Sequence, residues 1–372
     1  MMTEQKTRYT VMGAGNGGKA MAAHLALMGY AVTLYNRTAD NVMPIKLRGG
    51  IELAAQNGAP HGFGRLALVT SNIAEAVEGA DVVQVVVPAF AHAPLARELA
   101  SHLRDGQIVI LNPGRTGGTL EFLKALQDGG CTADVTLAET ATLLYVCRSE
   151  GPTQARITRI KDAVPIAALP ASRTQSVLER IADAFPQYID GQTVLHTGLD
   201  NMGAIFHPAL TLLNAGRIES TGGDYEFYIE GVTPSVARVL EALDRERVTV
   251  ASAVGIRART AQEWLALAYN AVGDSLHDAI HNQSGYRGIK APVTLAHRYI
   301  TEDVPMSLVP IAALGERFGV RVDAINSMVR LACIVHQTDY WRRGRTLDTM
   351  GIRSLSVEEL QHFVRETAST RG

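Results

Sequence analysis

The chain has 372 residues, 47% of them hydrophobic and 19% charged, with a formal net charge of -2. That length accommodates two domains with sizeable cores, and the near-neutral balance gives no reason to expect nucleic acid or an anionic membrane as partner. The three cysteines, Cys131, Cys147 and Cys333, lie far apart without metal-ligand spacing, so free thiols and no metal site are expected. No run of 18 apolar residues and no apolar signal core at MMTEQKTRYT occur, so a cytoplasmic protein is expected.

Residues 8–12 (RYTVM) read as a buried strand running into Gly13. Gly13, Gly15 and Gly18 follow the G-x-G-x-x-G spacing: one glycine for the tight turn, one for approach to a pyrophosphate, one for helix–strand packing. A helix over 16–28 follows, stopped by Gly29, and a second strand over 31–35 (AVTLY). Asn16, at the head of that helix, is placed where backbone amides face phosphate. An acid that would accept from a ribose is expected at the end of the second strand, but Asn36, Arg37 and Thr38 stand there. A guanidinium forks onto phosphate, so NADP(H) is the favoured cofactor, with use of NAD left open.

The α/β pattern continues. Residues 81–87 (DVVQVVV) form a strand buried on both faces, ended by Pro88, and a helix follows over about 93–103. Residues 107–111 (QIVIL) form another strand and open into Asn112-Pro113-Gly114-Arg115-Thr116-Gly117-Gly118. Loops at the carboxyl ends of such strands line the ligand crevice, which makes Pro88, Asn112 and Gly114 candidate cofactor contacts. Strand 135–138 precedes Glu139-Thr140; 145–148, 155–160 and 165–169 read as added strands, and a helix over 174–184 closes the domain.

From residue 190 strand signals almost vanish. Thr233 caps and Pro234 opens a helix that runs to Gly255, and further helices are expected at about 260–271, 274–281, 307–318 and 322–337. Residues 282–292 (NQSGYRGIKAP) read as a linker. The expected architecture is therefore α/β: a doubly wound Rossmann domain over 1–189, then an all-helical substrate domain over 190–372, with substrate held in the interdomain cleft. In the helical half, His207 precedes Pro208, which suits the first turn of a helix, so His207 is expected at a helix start with its ring free. Arg298 and Asp303, in "HRYITEDVP", form a charge cluster at a short break between helices.

The stretches "MGAGNGG", "ILNPGRTGG", "ETATLLYVCRSE", "PQYIDGQTVLHTGLDNMGAIFHPALTLLNAGRIES", "YIEGVTPSVA", "GYRGIKAPV", "HRYITEDVP", "LVPIAALG" and "GRTLDTMGI" resemble the opine dehydrogenase family. The type is that of octopine and nopaline dehydrogenases, with the nearest resemblance to N-(1-carboxyethyl)norvaline dehydrogenases. The likeness runs from about residue 8 to 352. It implies an NAD(P)H-dependent enzyme that joins an amino acid to a 2-oxo acid, pyruvate by family habit, and reduces the imine to an N-(carboxyalkyl)amino acid. It also implies that His207 is the catalytic histidine, Asp303 its partner, Arg298 the clamp on the oxo acid carboxylate, and Glu139 a residue near the substrate amine. The Asn-Arg-Thr ending of the second strand departs from several relatives, so cofactor choice does not carry over. Small-molecule substrates are the expected partners, and a homodimer is compatible with the sequence. A 2-hydroxyacid dehydrogenase or ketopantoate-reductase-like enzyme would use a lysine with a nearby asparagine, but the only lysine after residue 190 is Lys290, in the glycine-rich linker. A nucleotide sensor without turnover would have no use for His207, Arg298 and Asp303 together.

Overall fold

The computed structural model describes residues 6–367 apart from Asn57. They fall into two compact units. The first comprises the chain up to Gly114, then Gly118–Thr197 and the C-terminal segment from His362; the second comprises Arg115–Gly117 and Gly198–Gln361.

The first unit holds twelve strands in two sheets. They are β1 (Tyr9–Met12), β2 (Val32–Tyr35), β3 (Gly50–Ala55), β4 (Gly62–Arg65), β5 (Leu68–Thr70), β6 (Val82–Val85), β7 (Ile108–Leu111), β8 (Thr136–Thr140), β9 (Tyr145–Gly151), β10 (Gln154–Ile160), β11 (Val164–Leu169) and β12 (Tyr188–Asp190). The large sheet runs β12-β11-β8-β7-β6-β1-β2-β5 and is parallel except where β11 meets β8. Every residue of β1, β6 and β7 is buried, as their nearly unbroken apolar sequences, interrupted only by Thr10 and Gln84, require. The strand order turns outward from β1 in both directions, which is the doubly wound arrangement.

The added strands divide in a way the sequence did not reveal. β11 extends the large sheet, whereas β9 and β10 join β3 and β4 in a separate sheet of order β4-β3-β10-β9. The helix Asn16–Leu27 packs against both sheets, so residues Gly18–Leu25 are buried all round. Its sequence is mostly small and apolar on every face, as such a position demands, and the two polar side chains it buries, Lys19 and His24, are hydrogen-bonded to Ser149, Gly151 and Tyr145. The small sheet sits so close to it that a Cβ on Gly64 would lie 2.8 Å from the Ala23 carbonyl oxygen.

His24 of this helix is 4% exposed and its Nδ1 lies 2.9 Å from the Tyr145 hydroxyl. Burial pulls the imidazole down to about 4. Between that value and the ordinary histidine value of about 6.5, the unfolded chain binds a proton that the folded chain does not. The stabilisation is therefore complete above about pH 6.5 and declines as pH falls toward 4, by about 2 kcal/mol at pH 5. Urea midpoints at pH 7 and pH 5 check this: the acid-side drop should shrink in His24→Gln, and an identical drop in both proteins would contradict it.

The second unit is helical. Its longest helix, Pro234–Ala253, opens as expected, with the Thr233 side chain accepting from the Val236 amide and proline in the first turn. Ala261–Tyr269 begins with a reciprocal capping box between Thr260 and Glu263. The stretch expected as a linker carries a short helical turn at Ser284–Tyr286, and Tyr286 is buried against Tyr228 with ring centroids 4.1 Å apart.

One expectation is corrected. His207 is not at a helix start: the helix is Met202–Leu213, and Pro208 lies inside it. Proline there only removes the amide that would have bonded one turn back, and the surrounding apolar burial keeps the helix continuous. Among the described residues no helix is long and apolar enough to cross a membrane.

Candidate active site

The nucleotide end is built by the turn after β1. Gly13 has φ +118°, and a Cβ there would lie 2.4 Å from the Val86 carbonyl oxygen. A Cβ on Gly18 would fall 1.8 Å from the Gly13 carbonyl oxygen. Gly15 is different: it is exposed, and a Cβ there would meet nothing within 4 Å. It stands at the head of the 12-residue helix Asn16–Leu27 and supplies no side chain to cap the first-turn amides. An open cradle under a row of amides suits a pyrophosphate, so the residues fit a dinucleotide.

At the end of β2, Asn36 braces this turn. Its Oδ1 accepts from the Ala14 amide at 3.3 Å and its Nδ2 donates to the Thr38 carbonyl at 3.1 Å. Arg37 is exposed and makes no hydrogen bond or ion pair with a described residue, and Thr38 heads the next helix without a side-chain cap. Asn16 is exposed while its Oδ1 accepts from the Ser149 amide at 2.9 Å, which fastens β9 to the glycine turn. Pro88 is exposed just beyond β6.

Two candidates have other work. Asn112 is 3% exposed; its amide donates to Gln84 Oε1 at 2.8 Å and to the Ile110 carbonyl at 2.9 Å, and its Oδ1 accepts from the Tyr188 hydroxyl at 3.1 Å. That side chain is engaged inside the sheet. Glu139, on β8, is fully buried. Its Oε2 accepts from the Thr119 amide at 2.9 Å and from the Thr119 hydroxyl, and its Oε1 from the Thr197 hydroxyl at 2.7 Å. The carboxylate thus anchors the head of the helix Gly118–Asp128, where the helix dipole favours it, and does not stand open to a substrate amine. Gly114 serves the same packing, since a Cβ there would lie 2.2 Å from Glu139 Oε2.

In the second unit, His207 and Asp303, 96 residues apart in sequence, meet. His207 Nδ1 lies 2.8 Å from Asp303 Oδ2. The imidazole stacks on Tyr299, with centroids 4.0 Å apart and planes 18° from parallel, and Tyr299 stacks in turn on Phe227. The ring is 21% exposed, and Nε2 makes no hydrogen bond with a described residue. Asp303, fully buried, sits where the short helix Arg298–Thr301 gives way to a wide π-helical turn over Val304–Leu308. Its second oxygen, Oδ1, lies 2.8 Å from Arg115 Nη1, and Glu302 Oε1 lies 3.5 Å from Arg115 Nε.

Burial pushes the Asp303 carboxyl up, but the Arg115 charge, the His207 contact and the Arg298 charge outweigh it and hold it below the usual carboxylate range. An ionised carboxylate only accepts, so the proton on Nδ1 is fixed by chemistry and Nε2 is left as the working nitrogen. Arg298 is 58% exposed, and its Nε is held by Glu302 Oε2 at 3.1 Å. Its two Nη groups make no hydrogen bond with a described residue, so the planar fork is open.

The comparisons with known proteins bear on the family. Residues 191–336 match the model of the "NAD/NADP octopine/nopaline dehydrogenase, alpha-helical domain", and residues 8–121 match the "NAD binding domain of 6-phosphogluconate dehydrogenase". An opine dehydrogenase of Arthrobacter sp. (strain 1C) is 40% identical over 98% of this chain and 100% of its own. The chain belongs to the opine dehydrogenase family. Two solved structures share the fold. Octopine dehydrogenase with NADH and L-arginine has a TM-score of 0.80, 20% identity, and coverage of 96% of this chain and 98% of its own. Yersinopine dehydrogenase with NADP+ has a TM-score of 0.76, 14% identity, and coverage of 98% and 99%. As a member of the opine dehydrogenase family, the chain is an NAD(P)-dependent oxidoreductase acting on CH–NH donors, and its reaction is the reductive condensation of an amino acid with a 2-oxo acid. The hydroxyacid dehydrogenase and nucleotide-sensor alternatives give way to this assignment.

Arg115, Glu302, Tyr299 and Gly203 surround the His207–Asp303 pair without having been singled out in the sequence. An arginine in a glycine-rich loop reads as a surface charge; the available signal was its position just after the carboxyl end of β7.

Proposed function

We propose that His207 Nε2 is the proton donor and acceptor of the condensation, oriented by Asp303, and that Arg298 grips the oxo acid carboxylate. The observation that carries this reading is the 2.8 Å contact between His207 Nδ1 and a fully buried Asp303 carboxylate. The amine nitrogen adds to the ketone carbon of the oxo acid and gives a carbinolamine. His207, protonated at Nε2, donates to the hydroxyl, which departs as water and leaves a C=N bond. Asp303 stabilises the imidazolium before that transfer and keeps the ring in place afterward. When bound, the nicotinamide supplies the hydride that converts the C=N carbon to the secondary amine. Arg298 supplies two parallel donors and fixes the carbon under attack.

NADPH is the preferred cofactor in this proposal, because exposed Arg37 and Thr38 stand where an acid would have repelled a 2'-phosphate. Arg37→Asp should weaken NADPH binding at least about tenfold, as expected for loss of a charge-assisted contact, with no such loss for NADH. Fluorescence titration with both nucleotides checks it, and equal affinities in the unmodified enzyme would contradict it.

Arg298→Lys keeps the charge but loses the fork. It should raise the KM for the oxo acid at least about tenfold while the KM for NADPH changes less than about twofold. Unchanged KM values would remove Arg298 from the site. The reaction itself is tested by mass spectrometry of the product. The N-(carboxyalkyl)amino acid should carry the oxo acid carbons and the amino acid nitrogen, and a 2-hydroxy acid as sole product would reject it.

A further inference from the structure

The helical unit contains a buried arginine that the condensation chemistry does not by itself require. Arg115 follows β7 in sequence but is packed within the second unit, 8% exposed. Its φ is +61°, a region costly for a residue with a Cβ, so its surroundings hold the conformation. The Thr116 hydroxyl donates to the Gly198 carbonyl at 2.8 Å. Arg345, fully buried, donates from Nη1 to the Thr116 carbonyl at 3.1 Å and the Met306 carbonyl at 3.4 Å. Arg345 thereby ties the segment bearing Arg115 to the turn that follows Asp303. Gly203 stands one helical turn before His207, where a Cβ would come within 3.0 Å of Arg115 Nη1 and 3.2 Å of His207 Nδ1. The guanidinium has room beside the imidazole because the helix carries no side chain at that point.

The result is a row of alternating charge. Arg298 Nε meets Glu302 at 3.1 Å, Glu302 meets Arg115 Nε at 3.5 Å, Arg115 Nη1 meets Asp303 Oδ1 at 2.8 Å, and Asp303 Oδ2 meets His207 Nδ1 at 2.8 Å. We propose that Arg115 is a positioning residue for the proton-transfer pair: it occupies one oxygen of Asp303, so that the other is fixed toward His207 Nδ1 and the ring presents Nε2 to the substrate. This rests on the assignment of His207 as the group that moves the proton.

The groups facing Asp303 are Arg115 from its loop, His207 from its helix, Arg298, Tyr299 and Glu302 from the same segment, and Tyr228 from the stretch before Thr233. Among the described residues Arg115 is the one permanent cation within ion-pair distance of Asp303. Without it a fully buried carboxylate would be left with the Arg298 charge, outside ion-pair distance, and an imidazole that gains and loses its charge, and burial would push the carboxyl upward. Because Asp303 acts ionised, the acid limb of the pH profile would then move to higher pH.

The test compares Arg115→Gln, Arg115→Lys and His207→Ala as full-length enzymes, with kcat, KM and NADPH affinity measured from acid to neutral pH. Arg115→Gln should lower kcat roughly tenfold to a hundredfold and raise the acid limb of kcat/KM by at least about one pH unit. The KM for the oxo acid and the affinity for NADPH should stay within about threefold. Arg115→Lys should recover part of kcat and return the limb toward its original position. If Arg115→Gln does not fold, Arg115→Lys decides: a kcat lowered at least about threefold at unchanged KM supports the role, and an unchanged kcat overturns it. A raised oxo acid KM at constant kcat also overturns it, since Arg115 would then bind substrate. If His207→Ala is inactive while Arg115→Gln is normal, only the positioning role fails. If His207→Ala keeps near-normal kcat, the acid–base assignment itself fails.

Discussion

His207→Ala should lower kcat by about 10² to 10⁴, the usual worth of a general acid–base group, while NADPH affinity survives because the nucleotide-binding residues belong to the other unit. Asp303→Asn should cost somewhat less: the ring remains, but the acceptor that fixes its Nδ1 proton and supports the imidazolium is weakened. The two side chains touch at 2.8 Å, so their losses should not add. The double change should cost little more than His207→Ala alone. A double-mutant cycle on kcat at saturating substrates measures this, and fully additive losses would mean that the residues do not work as a unit. The contact between Asp303 and Arg115 also sets the acid side of the profile. Asp303 is held below the usual carboxylate range, so its support should be complete at neutral pH and be lost only as pH falls through that depressed value.

The second large effect contrasts two glycines three residues apart. Gly18→Ala would place a methyl 1.8 Å from the Gly13 carbonyl oxygen, which is backbone and cannot swing aside. Helix and turn would have to separate, and a destabilisation of about 3 kcal/mol, the upper end of the usual cost of overpacking, is expected, with NADPH binding lost. Gly15→Ala meets nothing within 4 Å, so its thermal unfolding should be nearly unchanged. The methyl would instead stand where the pyrophosphate approaches the backbone, and NADPH should bind at least about tenfold more weakly. Paired thermal melts and NADPH titrations check this. If Gly15→Ala binds normally, the cradle does not hold the pyrophosphate.

These effects bear on what the sequence could disclose. β1, β6 and β7 were legible because strands buried on both faces are written as nearly unbroken apolar runs. β3 and β4 were not, since Gly50, Gly62 and Gly64 erase the pattern, and for Gly64 the reason lies elsewhere in the chain: it presses on Ala23 of the helix Asn16–Leu27. The three glycines of the nucleotide turn were readable from their fixed spacing straight after a strand, although only the constraint on Gly18 is local, and Gly13 is pressed by the Val86 carbonyl from another strand's end. His207 was found by its type and its place before Pro208, but the same proline suggested a helix start and hid the helix Met202–Leu213 around it. Asp303 looked like part of a charge cluster, and Arg115 was not singled out. Burial of a charge depends on partners far along the chain, and Arg115 and Asp303 are brought together only by the folded unit. Glu139 and Asn112 show the converse: a polar residue at the end of a strand can be consumed by a helix head or a buried amide network that no spacing announces.

The most direct measurement is NADPH oxidation by the unmodified enzyme in three parallel reactions: with a 2-oxo acid alone, with the oxo acid plus a panel of amino acids, and with neither. The predicted result is steady turnover only where both substrates are present, because the bond to be reduced exists only after amine and ketone have condensed. Steady turnover with the oxo acid alone, at a rate that no amino acid increases, would contradict it.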